Sequence, residues 1–265
     1  MIVSKRISVI VNGALGKMGS TVIGAVNDAE DMDLVGAVDI KSNQDKISGN
    51  NLIIESDLED LLKKSNPDVV VDFTNGESSK IAFHKCISRG ISVVSGSTGL
   101  SDQDISFIED LSKQNKVGCL HASNFAIGAI LLMHLASIAS KYFDYADLLE
   151  SHHEMKIDAP SGTALSIVKS MLKGKGKDFL SNNTLEETLK NTRGGDIRGI
   201  NIHSARIPGR VARHEVVFGA QGQTFTLLHD SINRESFMPG VLTGIRHVVS
   251  SDRLTIGLDN LLGLK

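Results

Sequence analysis

The first half of the chain alternates short apolar runs with amphipathic segments, and this alternation restricts the fold more than any other feature of the sequence. Each run has the length of a buried strand. The runs are Ile7–Val11, Leu34–Val38, Val69–Phe73, Ser92–Ser95 and Val117–Leu120. Two helix-start patterns lie between them, Ser56-Asp57-Leu58-Glu59 and Ser101-Asp102-Gln103-Asp104. Repeated βα units of this kind predict an α/β fold with a doubly wound parallel sheet of Rossmann type.

The pattern changes after residue 125. Ile127–Phe143 predicts a long apolar helix, and later apolar runs follow one another without helices between them. These runs, Ile200–Ser204, Val211–Phe218 and Thr224–Leu228, predict an antiparallel or mixed sheet. Leu172–Thr192 is rich in Lys, Gly, Asn and Ser and is predicted to be a surface excursion. A final helix is predicted after Met238-Pro239-Gly240, where it can pack back on the first half.

The composition excludes several classes of protein. The 265 residues carry a formal net charge of -3, and no run of Lys and Arg is long enough for nucleic acid or a polybasic membrane patch. Cys86 and Cys119 fall in a predicted helix and strand, so we expect reduced core thiols rather than a disulfide or zinc site. The apolar run ending at Asn12 is too short for a signal sequence or membrane span. We therefore expect a cytoplasmic protein without nucleic-acid or membrane partners.

A glycine-rich loop directly follows the first predicted strand and opens a helix. Its sequence is Gly13-Ala14-Leu15-Gly16-Lys17-Met18-Gly19. Bare backbone in this setting lets a pyrophosphate approach amide groups at a helix N-terminus. The spacing is Gly-x-x-Gly-x-x-Gly rather than the commoner Gly-x-Gly-x-x-Gly, so a tight strand-to-helix connection without a ligand is an alternative.

Asp39 strengthens the prediction of a dinucleotide site. It ends the second strand 20 residues after Gly19, where a carboxylate accepts hydrogen bonds from ribose hydroxyls. Asp39 would repel a 2'-phosphate, whereas Lys17 and Lys41 would offset that repulsion. The residues therefore leave both NADH and NADPH open as cofactors.

Two later loops also follow predicted parallel strands, where open α/β sheets bind their ligands. They are Gly96-Ser97-Thr98-Gly99 and His121-Ala122-Ser123-Asn124-Phe125. We expect both loops to flank the nicotinamide. Each is alternatively a strand-ending turn with a helix cap.

The segment from Glu150 to Ala164 concentrates groups that can bind an anion and transfer a proton. Ser161 is predicted to cap a helix, leaving the amides of Gly162 and Thr163 to hold an anion. Lys156 and one imidazole add positive charge, and the other imidazole can supply a proton near neutral pH. A small carboxylate suits such a site, although a surface His pair and an ordinary helix cap are the structural alternatives.

The histidines do not indicate a metal site. His152 and His153 are adjacent, and no third Cys or His with ligand spacing accompanies them. The remaining imidazoles are interpreted one by one as structural; they include His203, His214, His229 and His247.

Taken together, the motifs resemble those of the 4-hydroxy-tetrahydrodipicolinate reductase (dihydrodipicolinate reductase) family over nearly the whole chain. The glycine loop, Asp72-Phe73-Thr74, Gly96-Ser97-Thr98-Gly99, Ser123-Asn124-Phe125 and the stretch from His152 to Ala164 occur in the family's order. The last of these is the most specific. The resemblance implies a dinucleotide domain at 1–124 completed by 234–265. It also implies a central α+β domain at 125–233 whose open mixed sheet binds substrate and builds a homotetramer.

The resemblance also implies an activity and its residues. The family reduces 4-hydroxy-tetrahydrodipicolinate to tetrahydrodipicolinate in lysine and diaminopimelate synthesis, with NADH or NADPH and no metal. His152 would be the proton donor and acceptor, and Lys156 the second catalytic donor. His153 and Ser161-Gly162-Thr163 would bind a carboxylate of the small dicarboxylate substrate. Cofactor would bind to Gly13-Ala14-Leu15-Gly16-Lys17-Met18, Asp39, Gly96-Ser97-Thr98 and Ser123-Asn124-Phe125.

One departure bears on the cofactor, and two other functions are alternatives. Ile40 stands where many relatives place a basic residue, which tilts the expectation towards NADH. An aspartate or homoserine dehydrogenase would share the glycine loop but need not contain the His152-to-Thr163 stretch. A non-catalytic NAD(P)-sensing protein would keep the cofactor loops and tolerate loss of the proton donor.

Overall fold

The structure is a computed structural model that describes residues 5–47, 52–181 and 184–264. The chain divides into two compact units. The first contains the described residues up to Phe125 together with those from Phe237 onward. The second is Ala126–Ser236.

The first unit opens with alternating strands and helices. They are β1 (Ile7–Asn12), α1 (Lys17–Asp28), β2 (Met32–Val38), β3 (Ile54–Glu55), α2 (Leu58–Lys64), β4 (Val69–Asp72), α3 (Gly76–Ile87), β5 (Ser92–Ser95), α4 (Asp102–Asn115) and β6 (Cys119–His121). Both predicted helix starts are confirmed, since Asp57 caps α2 and Ser101 forms a capping box with Asp104 at α4.

The described residues of the second unit form two helices and five strands. They are α5 (Ile127–Ala139), β7 (Tyr145–His152), α6 (Gly162–Lys175), β8 (Gly195–Ile197), β9 (Ile200–Arg206), β10 (Ala212–Ala220) and β11 (Gln223–Ser231). A 3₁₀ turn at Arg234–Phe237 follows, and the chain then adds α7 (Met238–Val248), β12 (Leu254–Ile256) and α8 (Leu258–Leu261) to the first unit.

The sheet of the first unit has the order β12-β6-β5-β4-β1-β2-β3, and every neighbouring pair is parallel. The middle residues of its central strands are apolar because both faces of the sheet are covered. Ile10, Val70 and Val93 pack in one cluster with α2, α3 and α4. On the other face, Val94 and Leu120 lie against Gly244 of α7. The predicted doubly wound parallel sheet is confirmed.

The sheet of the second unit has the order β11-β10-β7-β9-β8. β7 and β9 are parallel, and the other pairs are antiparallel, so the sheet is mixed, as predicted. Helices α5 and α6 bury Leu148, Val216 and Phe218 against one of its faces. The carboxyl end of β7 lies next to the start of α6.

Three details differ from the sequence prediction. No strand was predicted over β7, because Asp147 and Glu150 interrupt its apolar pattern. Helix α5 ends at Ala139, and the chain turns so that the ring of Phe143 packs 5.4 Å from that of Phe218. The predicted excursion at 172–192 begins with the last turn of α6 and buries Phe179 in the core of the second unit, while residues 182–183 lie outside the described part.

Cys86 and Cys119 are free thiols in α3 and β6, and burial raises the pKa of both. Each described helix falls short of the length and apolar character that a membrane crossing requires.

Candidate active site

The glycine loop forms a tight turn between β1 and α1. Gly13 has φ of +87°, and a Cβ atom there would lie 2.7 Å from the carbonyl oxygen of Phe73. Helix α1 begins after Gly16, which has no side chain to cap it. The first-turn amides therefore receive no side-chain cap from this residue, an arrangement that suits the binding of an anionic pyrophosphate.

Gly19 closes the turn from within α1. A Cβ atom at Gly19 would lie 2.0 Å from the carbonyl oxygen of Gly13. We expect Gly19→Ala to displace the loop and weaken NADH binding by about tenfold, measured by titration of NADH fluorescence. Gly24→Ala in the same helix is the matched control, because its Cβ would meet nothing within 4 Å. Equal NADH affinity in the two variants would contradict the tight-turn interpretation.

Asp39 is fixed beside this loop. Its carboxylate accepts hydrogen bonds from the amides of Leu15, at 3.0 Å, and Lys41, at 2.9 Å. A carboxylate has about four acceptor positions, so two remain for the hydroxyls of a ribose. The adjacent Ile40 is 82% exposed, so the position that follows this carboxylate carries an apolar side chain without charge.

The two later loops present some predicted residues outward and bury others. Thr98 and Ser123 are exposed. Ser97 is buried, and its hydroxyl donates to Asp72 at 2.7 Å and accepts from the amide of Thr74 at 2.8 Å. The Phe125 ring is 2% exposed and lies 5.8 Å from the ring of Phe73. The glycine cradle and the Asp39 carboxylate together fit a dinucleotide, with these loops placed at the carboxyl ends of β5 and β6.

In the second unit, His152 ends β7 and is paired with a buried carboxylate. Its Nδ1 lies 2.5 Å from Oε2 of Glu150, whose side chain is fully buried. Strand register places Arg206 of β9 beside His152, and its guanidinium donates to both oxygens of Glu150, at 3.1 and 2.9 Å. Burial opposes ionisation, but hydrogen bonds from His152 and Arg206 outweigh it and lower the pKa of Glu150 to about 2.

The ionised Glu150 decides how His152 is presented. A carboxylate accepts only, so Nδ1 of His152 carries the proton in this pair. The Nε2 atom is then the one that can exchange a proton with a ligand. The geometry therefore gives His152 the arrangement of an oriented general acid or base.

His214 connects this pair to the start of α6. It lies opposite Glu150 on β10, and its ring centroid is 5.2 Å from that of His152. Its Nε2 is 3.2 Å from Oγ of Ser161. Burial is the main cause that lowers the pKa of His214 to about 4, and the neighbouring His152 is the second. The ring is therefore neutral at physiological pH. The interpretation of His214 as a structural residue missed this contact with the site.

The predicted cap at Ser161 is confirmed. Its Oγ accepts from the amide of Ala164 at 3.1 Å, and its own amide lies 3.3 Å from Oε1 of Glu150. Gly162 and Thr163 form the first turn of α6. The helix start that was predicted to hold an anion is thus joined directly to the Glu150 and His152 pair.

His153 and Lys156 lie in the loop that joins β7 to α6. Nζ of Lys156 is 2.7 Å from Oδ1 of Asp158, and its amide donates to the carbonyl of His153 at 3.1 Å. Among the described residues, no group of three or more His, Cys, Asp and Glu is arranged to hold a metal ion.

Sequence reasoning placed Glu150 at the start of the predicted stretch but gave it no role, and it did not bring Arg206 and His214 to this site. The spacing of Glu150 and His152 by two residues is a signal that both lie on one face of a strand. Arg206 and His214 reach the site through strand register, which the sequence pattern does not reveal.

Comparison with known proteins identifies the family. The model for the N-terminus of dihydrodipicolinate reductase matches residues 7–125, and the model for its C-terminus matches residues 128–262. The chain belongs to the dihydrodipicolinate reductase family. It is accordingly an NAD(P)H-dependent oxidoreductase, as the motifs implied.

Relatives cover both units. The 4-hydroxy-tetrahydrodipicolinate reductase of Dehalococcoides mccartyi (strain BAV1) is 42% identical, over 97% of this chain and 99% of its own length. That of Desulfitobacterium hafniense (strain DCB-2) is 43% identical, with the same coverage. A dipicolinate-bound dihydrodipicolinate reductase from Paenisporosarcina sp. TG-14 has a TM-score of 0.86 at 37% identity, and the match covers 96% of this chain and 99% of that one.

More distant structures share the fold alone. An amine dehydrogenase from Mycobacterium smegmatis has a TM-score of 0.65 at 14% identity, over 97% of this chain and 96% of its own. Dehydrogenases of other kinds therefore share the architecture, whereas the full-length matches favour the reductase family over the aspartate and homoserine dehydrogenase alternatives.

Proposed function

We propose that the protein reduces 4-hydroxy-tetrahydrodipicolinate to tetrahydrodipicolinate, with loss of water, in lysine and diaminopimelate synthesis. The observation that carries the proposal is the buried carboxylate of Glu150, which orients His152 next to the capped start of α6. Family membership supports the same substrate. A proton donor beside an anion-binding helix start is what reduction of a small dicarboxylate requires.

The second unit would bind the substrate through its carboxylates. A substrate carboxylate would bind near Gly162 and Thr163 at the N-terminus of α6, where the helix dipole favours negative charge. The backbone amide of Gly162 is hydrogen-bonded to the carboxylate of Asp158, so the substrate carboxylate would take the place of Asp158 at that amide. His153 and Lys156 would add hydrogen bonds and positive charge. Arg206 is already engaged by Glu150, so its charge mainly stabilises that carboxylate.

Proton transfer would rest on His152. When bound, the reduced nicotinamide supplies hydride. His152 would deliver from Nε2 the proton that completes the reduction, and the Glu150 carboxylate would stabilise the protonated imidazole before transfer. Lys156 would organise charge near the substrate and serve as a second donor.

Cofactor preference is proposed to favour NADH. Asp39 is negative and Ile40 offers no charge to a 2'-phosphate. Replacing Ile40 by arginine is expected to raise the ratio of kcat/KM for NADPH over NADH by about tenfold or more, because a guanidinium pairs with phosphate. Ile40→Leu, which adds no charge, is the control. An unchanged ratio in Ile40→Arg would show that this position does not read the 2'-phosphate.

A coupled assay tests the function. Substrate is generated from pyruvate and aspartate semialdehyde with the preceding synthase, and oxidation of NADH and NADPH is followed separately. Oxidation that depends on this protein and on both precursors is the expected result. Silence with both cofactors, from protein shown to be folded, would contradict the proposed reaction.

We also propose that the protein is a cytoplasmic homotetramer. The face of the mixed sheet opposite α5 and α6 carries partly exposed Tyr145, Leu149 and Leu228, a surface suited to another subunit. Free thiols at Cys86 and Cys119 suit a reducing compartment. Light scattering coupled to size exclusion should give about four chain masses, and a monomer at assay concentration would contradict the assembly.

A further inference from the structure

Asp72 at the carboxyl end of β4 is a buried acceptor for four side chains. It is 0% exposed. Its oxygens accept from Asn12 Nδ2 at 2.8 Å, Thr74 Oγ1 at 2.8 Å, Ser95 Oγ at 3.1 Å and Ser97 Oγ at 2.7 Å. Four donors match the four acceptor positions of a carboxylate, and each of the four comes from an uncharged side chain.

These donors belong to separate segments of the cofactor site. Asn12 directly precedes the glycine loop and is the register partner of Asp72 on the neighbouring strand. Ser97 lies in the loop after β5, and its hydroxyl also accepts from the amide of Thr74. One carboxylate therefore ties the start of the first loop to the second.

The next residue, Phe73, extends the contact to the third loop. Its carbonyl oxygen faces Gly13. A Cβ atom at Gly96 would clash with its ring. The same ring packs 5.8 Å from that of Phe125. Asp72 and Phe73 thus contact all three loops that are proposed to bind the dinucleotide.

We propose that Asp72 is a positioning residue of the dinucleotide site. Its carboxylate holds the loops that begin at Gly13 and Gly96 in the relative arrangement that binds NAD(P)H. It acts through Asn12, Thr74, Ser95 and Ser97. The identity of the ligand rests on the proposed function, whereas the hydrogen-bonded cluster does not.

The test compares two carboxylates of the same strand region. In Asp72→Asn, one acceptor oxygen becomes an amide donor facing other donors. Asp68→Asn is the matched control, because Asp68 accepts from Ser8 just before β4, at the opposite end of the sheet. We expect the Kd for NADH, measured by fluorescence titration without substrate, to rise about tenfold in Asp72→Asn and less than about twofold in Asp68→Asn.

Kinetics and a reciprocal exchange separate positioning from simple destabilisation. In Asp72→Asn the KM for NADH should rise with its Kd, while kcat at saturating NADH stays within about threefold of wild type. The double variant with Asp72→Asn and Asn12→Asp again has one carboxylate and one amide at these two positions. Its NADH affinity should return to within about threefold of wild type. A purely structural defect would lower the unfolding midpoint without this recovery.

Several results would overturn the proposal. NADH affinity equal to wild type in Asp72→Asn would do so, as would an equal loss in Asp68→Asn. If Asp72→Asn does not fold, Ser95→Ala removes one donor from the same carboxylate, and unchanged NADH affinity there would also overturn it. Wild-type protein that binds NADH but fails the coupled assay would contradict the proposed reaction while leaving the role of Asp72 intact.

Discussion

Replacement of His152 by glutamine is expected to lower kcat by about 10²- to 10⁴-fold. Glutamine can still hydrogen-bond to Glu150, but its amide does not exchange a proton near neutral pH. The KM for the dicarboxylate should change by no more than severalfold, because the start of α6, where a substrate carboxylate is proposed to bind, is untouched. Steady-state rates with saturating NADH in the coupled assay measure both quantities.

His153→Gln is the matched control for this change. The two imidazoles are adjacent in sequence, but it is His152 that Glu150 orients. His153→Gln should chiefly raise the KM for the substrate and leave kcat within about tenfold of wild type. Undiminished kcat in His152→Gln would remove this residue from the proton-transfer step.

Replacement of Glu150 by glutamine should affect both catalysis and stability. Arg206 would lose its carboxylate partner in a largely buried position, and His152 would lose the charge that stabilises its protonated form. We expect kcat to fall by about 10²-fold and the free energy of unfolding to fall by about 3 kcal/mol. Urea unfolding at pH 7 and steady-state kinetics test the two effects separately.

The stability effect should depend on pH in a defined direction. Folding lowers the pKa of Glu150 from its ordinary 4.5 to about 2, so the folded state favours the ionised form. This stabilisation is present in full above pH 4.5 and is lost as pH falls towards 2. The difference in unfolding free energy between wild type and Glu150→Gln should therefore shrink as pH falls through this window.

Asp158→Asn provides the comparison for a carboxylate with an exposed partner. Asp158 pairs with Lys156, but its side chain is 55% exposed and solvent screens the interaction. Its effect on unfolding free energy should be much smaller than that of Glu150→Gln. A Glu150→Gln difference that is constant from pH 7 to about 3 would contradict the assignment of the lowered pKa to this buried carboxylate.

Local patterns predicted the parts of the protein whose determinants are close in sequence. The glycine loop follows its strand directly, and the Ser161 cap needs only the three residues after it. Asp39 could be placed because it lies at the end of the next strand. In each case the deciding contacts join neighbouring elements.

The side chains around His152 could not be predicted in the same way. Arg206 reaches Glu150 across 56 residues of sequence, and His214 reaches Ser161 across 53, both through strand register. Strand β7, which carries His152, was not predicted. A glutamate in a sequence indicates a surface position unless its buried partners are known. The burial of the Ser97 side chain could not be predicted for the same reason.

The return of the chain to the first unit has a consequence for biosynthesis. Strand β12 pairs with β6, and α7 covers Val94 and Leu120, yet both elements follow the entire second unit in sequence. During translation, β6 therefore leaves the ribosome with an open edge and uncovered apolar side chains. This sheet can close only when residues near 256 have been synthesised, so the nascent chain carries an aggregation-prone edge from the synthesis of β6 until then, which is about half of elongation.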